Sequence, residues 1–298
     1  MRLSHLARVA AVAAALVLTA TACGGQSPSP GSAGDGPTVA QDVTFEAGTT
    51  MDRLAKAGTI RVGTKFDQPL FGLKGLDGKP AGFDVEIAKI IGAKLGIPAD
   101  KIAYTETPSA TREEAIEQNR VDMVVATYTI NDKRKERVSF AGPYYIAGQD
   151  LMVKSDNTTI TGPESLKAAN AKVCSVTGST PSVTIQEYVD QANLVLFDVY
   201  SKCADALRTG QVDAVTTDNV ILLGLVEASE GAFKLVGKQF TEEPYGIGIP
   251  KGDVKFCEFI NTALKDAAAD GSYEAAWKST AGAVSPQTPT LPPADPCS

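Results

Sequence analysis

Ala115-Ile116 followed by Val121-Asp122-Met123-Val124-Val125, and Ala206-Leu207 followed by Val212-Asp213-Ala214-Val215, are the two stretches on which the fold turns. They share one layout at a constant offset: the end of a helix, a turn, a strand, then a polar loop. The loop is Thr127 to Thr129 in the first copy and Thr217-Asp218 in the second. Open α/β sheets bind ligands past the carboxyl ends of their strands. Two copies in two lobes would therefore set two polar loops face to face across a cleft. Two generic helix–strand units can also look alike by chance, so the repeat alone leaves that alternative open.

The chain around the repeat has the same character. Ile60-Arg61-Val62-Gly63 reads as a strand, and the apolar spacing Phe83, Ile87, Ile90, Ile91, Leu95 predicts an amphipathic helix over Phe83 to Leu95. Further strands are predicted at Val121 to Ala126, Asp150 to Lys154, Lys172 to Val176, Leu194 to Phe197, Val212 to Thr216 and Gly246 to Ile249. Helices are predicted at Ser182 to Val189, Lys202 to Arg208, Asn219 to Ala228 and Asp253 to Ala269. Such alternation implies α/β units on mostly parallel sheets.

At the N-terminus, Arg2 and Arg8 precede an Ala/Val/Leu run from Val9 to Leu18 and the small residues Thr19 to Ala22, the order of a secretory signal. The run is shorter than the ~20 residues that span a bilayer, so residues 1–22 are expected to be removed. Cys23 stands where bacterial lipoprotein signals place the lipidated cysteine, although Ala20 occupies a position more often held by Leu. The Gly/Ser/Pro-rich stretch that follows cannot bury a core, and residues 23–45 are expected to form a flexible tether. The expected location is the outer face of the cytoplasmic membrane, held by a lipid anchor.

A net charge of −7 argues against nucleic acid as a partner. The one histidine, His5, falls in the expected signal, leaving no imidazole for a Ser-His-Asp or Cys-His mechanism or for metal ligation. No catalytic residue, cofactor or metal is expected.

Gly82-Phe83-Asp84-Val85-Glu86-Ile87, with Ile91, Gly92 and Leu95 after it, resembles the signature of the family 3 extracellular solute-binding proteins of ABC transporters, and within them the glutamate-binding lipoproteins of high-GC Gram-positive bacteria. The likeness runs from about Leu54 to Trp277 and includes Val121 to Arg134, Phe140 to Tyr145, Thr177 to Thr180, Gln211 to Asp218 and Tyr245-Gly246-Ile247. It implies an α/β, two-lobed periplasmic-binding-protein fold of type II, with a hinged ligand cleft. Two crossovers would fall near Tyr145 to Gln149 and Lys238 to Tyr245. Lobe one would take residues 46–146 and 241–298, the latter ending in a Pro-rich tail, and lobe two residues 147–240.

Four cysteines follow Cys23, and an even number in an exported chain reads as disulfides with three possible pairings. Cys174 with Cys203 and Cys257 with Cys297 are preferred because each pair lies within one expected lobe; four buried free thiols are the alternative.

An amino acid zwitterion needs donors for its α-carboxylate and an acceptor for its ammonium. Arg134, in Thr127-Tyr128-Thr129-Ile130-Asn131-Asp132-Lys133-Arg134, resembles the family's carboxylate ligand, and a guanidinium fork suits that task. By composition alone Arg134 is one of several charges in a basic run. Ser179 and Thr180 open a predicted helix after a strand, where amides bind anions; an ordinary capped turn would look the same. Asp218 matches the ammonium ligand, with helix capping as its structural alternative, and Thr127 and Thr129 belong to the facing loop. Lys65, Ser109 and Arg112 match positions facing the ligand's side chain, with Ser109 where glutamine and basic-amino-acid binders carry an aromatic platform. Three cations against one carboxylate would suit glutamate or aspartate, with glutamine, asparagine or a broader polar set as the alternative. Water reaching Lys65 or Arg112 would weaken that preference.

The expected protein is thus a monomeric, non-enzymatic capture subunit that passes its ligand to permease subunits. A dehydratase-like enzyme and a sensor-type receptor subunit are the rivals on the same scaffold. Carboxylate pairs such as Glu113-Glu114 look solvated, which weighs against the enzyme.

Overall fold

The computed structural model describes residues 36–298. The expected signal over 1–22, Cys23 and the tether as far as residue 35 lie outside the described residues. In chain order the strands are β1 (Ile60–Thr64), β2 (Asp67–Gln68), β3 (Gly72–Lys74), β4 (Pro80–Ala81), β5 (Ile102–Glu106), β6 (Met123–Thr129), β7 (Ser139–Ala147), β8 (Gln149–Lys154), β9 (Val173–Val176), β10 (Leu194–Phe197), β11 (Ala214–Asp218), β12 (Phe233–Leu235) and β13 (Glu243–Ile249). They form one sheet in the order β5-β1-β6-β13-β7, a second in the order β10-β9-β11-β8-β12, and a small meander β2-β3-β4.

The two five-stranded sheets have the same plan. Each has three parallel strands, β5-β1-β6 and β10-β9-β11. Each is then invaded by one antiparallel strand, β13 beside β6 and β8 beside β11. The repeated sequence stretches supply β6 and β11, the equivalent third strands. The antiparallel members qualify the mostly parallel expectation, and the reason is topological. Only Gly148 separates β7 from β8, and 236–242 link β12 to β13, so these are short passages between lobes; a parallel neighbour within one sheet needs a connection of a dozen residues or more. The two passages pair with each other through Glu243–Ala147 and Tyr245–Tyr145.

Helix Phe83–Lys94 is not the one-sided amphipathic helix expected: nine of its twelve residues are buried, as in a helix enclosed by the core, and Asp84 and Glu86 fall in its first turn, where negative charge is favoured. Phe83, Ile87 and Ile91 are fully enclosed, each burial contributing roughly 2 kcal/mol. Trp277, on helix Ser272–Lys278, completes this core, with its ring 5.1 Å edge-on from Phe83 and stacked 5.3 Å from Tyr145. The C-terminal helices therefore share the core of helix Phe83–Lys94. Predicted helix Ser182 to Val189 is displaced to Thr180–Thr184, followed by a 3₁₀ turn at Ile185–Glu187, because Ser179 caps it and Pro181 is tolerated in a first turn.

Residues 36–45 differ from the tether expected there. Ala40 N–H donates to the Ala93 carbonyl at 2.9 Å, and Phe45 packs edge-on against Phe259, so the chain is already laid on lobe one. Cys174 is bonded to Cys203 inside lobe two. Cys257 is bonded to Cys297, which brings the Pro-rich tail onto helix Val254–Asp270, where Asp295 N–H donates to the Gly142 carbonyl on edge strand β7.

Candidate functional site

The lobes meet where the turn after β9 packs on the loop after β5 and helix Asn219–Glu227 packs on the residues after β2, while the expected polar loops Thr127 to Thr129 and Thr217-Asp218 are the last residues of β6 and β11. Gly178 and Gly224 show how closely: a Cβ on Gly178, whose φ is +80°, would lie 2.7 Å from the Ala110 Cα, and one on Gly224 would lie 2.4 Å from the Pro69 carbonyl oxygen. Between the lobes is a narrow, nearly closed crevice with about 10 Å³ of free space. Ser109, Arg112, Thr127 and Thr129 line it from lobe one, and Ser179, Thr180 and Asp218 from lobe two. Two expected site residues stand just outside that lining. Arg134 borders a wider surface groove at the mouth, which shares Ser109, Ser179 and Thr180 with the crevice. Lys65 is buried behind Ser109 and donates to its hydroxyl at 2.9 Å.

On the lobe-one side, β6 carries a bulge opposite Gly246–Gly248, which leaves Thr127 with φ +46°. A β-branched residue is rarely found there, at a cost of about 1–2 kcal/mol. Asp84 holds it: the Thr127 N–H donates to Asp84 Oδ2 at 2.8 Å, and the Tyr144 phenol donates to Oδ1 at 2.5 Å. Burial pushes the Asp84 carboxyl up to about 7, against the pull of those hydrogen bonds. The Thr127 hydroxyl is engaged by Gln68 Oε1 at 3.0 Å and its neighbour's carbonyl at 2.7 Å.

Arg112 is 2% exposed and Lys65 is 3% exposed, so water does not screen either cation. Arg112 donates through Nη1 to the Ala126 carbonyl at 2.9 Å, while its Nε has no partner. Its guanidinium lies 4.1 Å from the Tyr128 ring centroid, and that of Arg134 lies 5.1 Å from the same ring. Tyr128 thus brings two cations together through its π-system. Burial first, and then repulsion from Arg112, pulls the Lys65 ammonium down to about 7 and the Arg134 guanidinium down to about 10. Neither Lys65 nor Arg112 forms an ion pair with a carboxylate among the described residues.

Arg134 is more occupied. It donates to the Thr129 carbonyl at 2.6 Å and, across the cleft, to the Gly178 carbonyl at 3.1 Å, and its Nε lies 3.5 Å from Glu113. Thr180 is likewise engaged: its hydroxyl donates to Glu243 at 2.7 Å and lies 3.4 Å from that of Thr129. The Ser179 hydroxyl donates to the Val176 carbonyl and accepts from the Ser182 N–H, capping the helix that starts at Thr180.

Asp218 ends β11 and stands at the N-cap position just before helix Asn219–Glu227, yet its side chain makes no capping hydrogen bond. Its Oδ2 accepts the Tyr245 phenol at 2.6 Å, and its Oδ1 has no partner. Burial, then repulsion from Glu243, pushes the carboxyl up to about 7. An unpartnered carboxylate oxygen facing buried cations across a small crevice can hold a cationic group at one end of a ligand and anionic groups at the other.

Sequence reading did not assign Tyr128, Glu113, Glu243, Gln68 or Tyr200 to the site. Glu113 and Glu243 also change the charge count of three cations against one carboxylate. Tyr128 sat inside the quoted Thr127–Arg134 motif, but nothing in the sequence says that two guanidinium groups stack on it. Glu243 meets Thr180 from 63 residues away, and Tyr200 reaches the crevice from the start of helix Tyr200–Thr209, outside every quoted motif.

Fold and crevice are those of a two-lobed α/β protein closed over a polar crevice. The model of the bacterial extracellular solute-binding proteins, family 3, matches residues 60–279, and the chain belongs to that family. The chain is 40% identical over 238 residues to the glutamate-binding protein GluB of Corynebacterium efficiens, spanning 77% of this chain and 81% of the relative. It is also 40% identical over 220 residues to the ABC transporter glutamine-binding protein GlnH of Bacillus subtilis, spanning 74% and 80%. Among solved structures, an ancestral arginine-binding protein bound to glutamine superposes with a TM-score of 0.70 at 36% identity, covering 76% of this chain and 98% of that one.

Proposed function

We propose that this protein is the capture subunit of an ABC importer for an acidic amino acid, glutamate or aspartate, held between its lobes and passed to permease subunits. One observation carries the reading of the ligand. Arg112 and Lys65 are buried without a carboxylate partner at one side of the crevice, while Asp218 Oδ1 is buried without any partner on the facing lobe. Glutamate answers both: its ammonium goes to Asp218, its side-chain carboxylate to Arg112 and Ser109 with Lys65 behind, and its α-carboxylate to Arg134 and the amides after Thr177.

Closure and binding are then one event, because only the shut arrangement brings Arg134 to Gly178 and the two walls together. Glutamine is the second reading, favoured by Glu113 and Glu243, which offset part of the positive charge, and by the equal identity to a relative named for glutamine. The protein acts by binding, not turnover. Export and lipidation at Cys23 would hold it beside the permease; mass spectrometry of the membrane-associated protein finding a diacylated N-terminal cysteine is the expected result.

A thermal-shift screen over the proteinogenic amino acids tests the ligand class, since a ligand bound only by the folded state raises the melting temperature. L-Glutamate and L-aspartate should give the largest shifts. A larger shift with L-glutamine would move the assignment to the second reading, and no shift with any amino acid would remove it.

A further inference from the structure

Three oxygen atoms on the lobe-two wall of the crevice are buried without a hydrogen-bond partner: Asp218 Oδ1, Thr217 Oγ1 and Tyr200 Oη. Buried hydroxyl and carboxylate oxygens are nearly always partnered, because an unmade hydrogen bond forfeits the solvation they had in water. One exception could be incidental. Three on residues that line one wall, each residue at most 3% exposed, describe a surface with unmet hydrogen bonds, on which the carboxylate oxygen can only accept and the two hydroxyls can accept as well as donate. A primary ammonium carries three N–H donors and no acceptor, and so complements three acceptor oxygens.

Of the three, Tyr200 is the one that no sequence motif suggested. It is the first residue of helix Tyr200–Thr209, and Cys203, one turn later on the same helix, is bonded to Cys174 of β9. β9 leads into the Ser179 turn, so the disulfide ties the helix that starts with Tyr200 to the strand that feeds the other half of the lobe-two wall. Burial, then the charge of Asp218, pushes the phenol up to about 12 against the pull of the neighbouring Ser179, Thr217 and Ser175 hydroxyls, none of which makes a well-aligned hydrogen bond to it, and it remains a neutral hydroxyl at physiological pH. A neutral phenol oxygen can accept from an ammonium and keep its own hydrogen for a carboxylate oxygen.

We infer that Tyr200, with Thr217, joins Asp218 in a three-acceptor subsite for the ligand's primary ammonium, which makes Tyr200 a ligand-positioning and specificity-determining residue. The inference rests on the reading of the crevice as an amino-acid site. It adds a distinction that Asp218 alone would not provide: a single carboxylate accepts secondary and primary ammonium ions alike, whereas three acceptors leave an N-methylated ligand with one oxygen unmatched.

The test is calorimetric titration of the full mature protein with L-glutamate, L-glutamine and N-methyl-L-glutamate, in the unaltered chain and in Tyr200→Phe, Thr217→Val and Asp218→Asn. Tyr200→Phe should weaken binding of the primary amino acid by about tenfold or more, the usual loss for a hydrogen bond to a charged group. The same substitution should narrow the preference over the N-methyl compound. Its melting temperature without added ligand should stay level or rise, since an unpartnered buried hydroxyl has been removed; a merely structural tyrosine would lower it. Thr217→Val should repeat the pattern if Tyr200→Phe folds poorly. Unchanged affinity in both hydroxyl variants beside a large loss in Asp218→Asn overturns the subsite and leaves the amino-acid reading standing. Failure of the unaltered protein to bind either L-glutamate or L-glutamine removes that reading itself.

Discussion

Asp84 in lobe one and Asp218 in lobe two are a matched pair with opposite fates. Each is an aspartate sealed from water beside the crevice, each accepts a tyrosine phenol, Tyr144 or Tyr245, and burial pushes each carboxyl up to about 7. The difference is in the other oxygen. Asp84 Oδ2 is taken by the Thr127 amide, whereas Asp218 Oδ1 is taken by nothing in the chain. The first carboxylate is completed by the fold and works for the fold; the second is left for a ligand. Residue type, burial and a raised pKa are the same in both, so only the hydrogen-bond count separates a structural carboxylate from a binding one.

The sharpest way to break the pairing is to remove each carboxylate in turn. Asp218→Ala should weaken the amino acid by roughly thirtyfold or more, as expected for loss of a buried charge partner, with little loss of stability in urea titration. Asp84→Ala should instead destabilise the protein by about 3 kcal/mol, because it orphans the Thr127 amide and the Tyr144 phenol together. If Asp218→Ala were the destabilised variant and Asp84→Ala the non-binder, the contrast would be reversed. Arg134→Ala comes next, with a loss of about thirtyfold, tempered by the ion pair to Glu113 that it also releases.

Arg112→Ala should reduce affinity more for glutamate than for glutamine, measured side by side; equal losses would mean that this guanidinium does not read the ligand's side chain. The smallest effect is on pH dependence. A carboxyl raised from 3.8 to about 7 on folding stabilises the protein below pH 4 and loses that contribution as pH rises towards 7. Lys65, lowered from 10.5 to about 7, acts in the opposite direction: its contribution is present above pH 10 and is lost as pH falls towards 7. Melting curves of the protein without added amino acid should therefore dip near neutrality. Asp218→Asn should shallow the acid arm of that dip and Lys65→Met the alkaline arm, while bound glutamate should fill it.

Much of the scaffold was legible in the sequence because it rests on local periodicity. Helix Phe83–Lys94 and strands β1, β8 and β10 fall within a residue or so of their predicted spans. β11 was predicted at Val212 to Thr216 and begins two residues later, since Val212 still belongs to the turn that closes the preceding helix. β5, β7 and β12 were not predicted: β5 is an edge strand whose Ala103, Thr105 and Glu106 are exposed, β7 is broken by Gly142-Pro143, and β12 is only three residues long.

The site divides in the same way. Ser109, Arg112, Thr127, Thr129, Ser179, Thr180 and Asp218 were found through segments that resemble a family, and the structure gathers all seven around one crevice. The engagement of Thr180 by Glu243, of Arg134 by Glu113 and of both arginines by Tyr128 arises between residues whose meeting no local pattern encodes. Those contacts decide how much charge each group has left for a ligand.

A crystal structure of the mature protein with L-glutamate tests the central claim most directly. The ammonium should lie within hydrogen-bonding distance of Asp218 Oδ1 and the side-chain carboxylate against Arg112 and Ser109, with Asp84 still holding the Thr127 amide. A ligand seated in the outer groove beside Arg134, with Asp218 Oδ1 left unmatched, would contradict it.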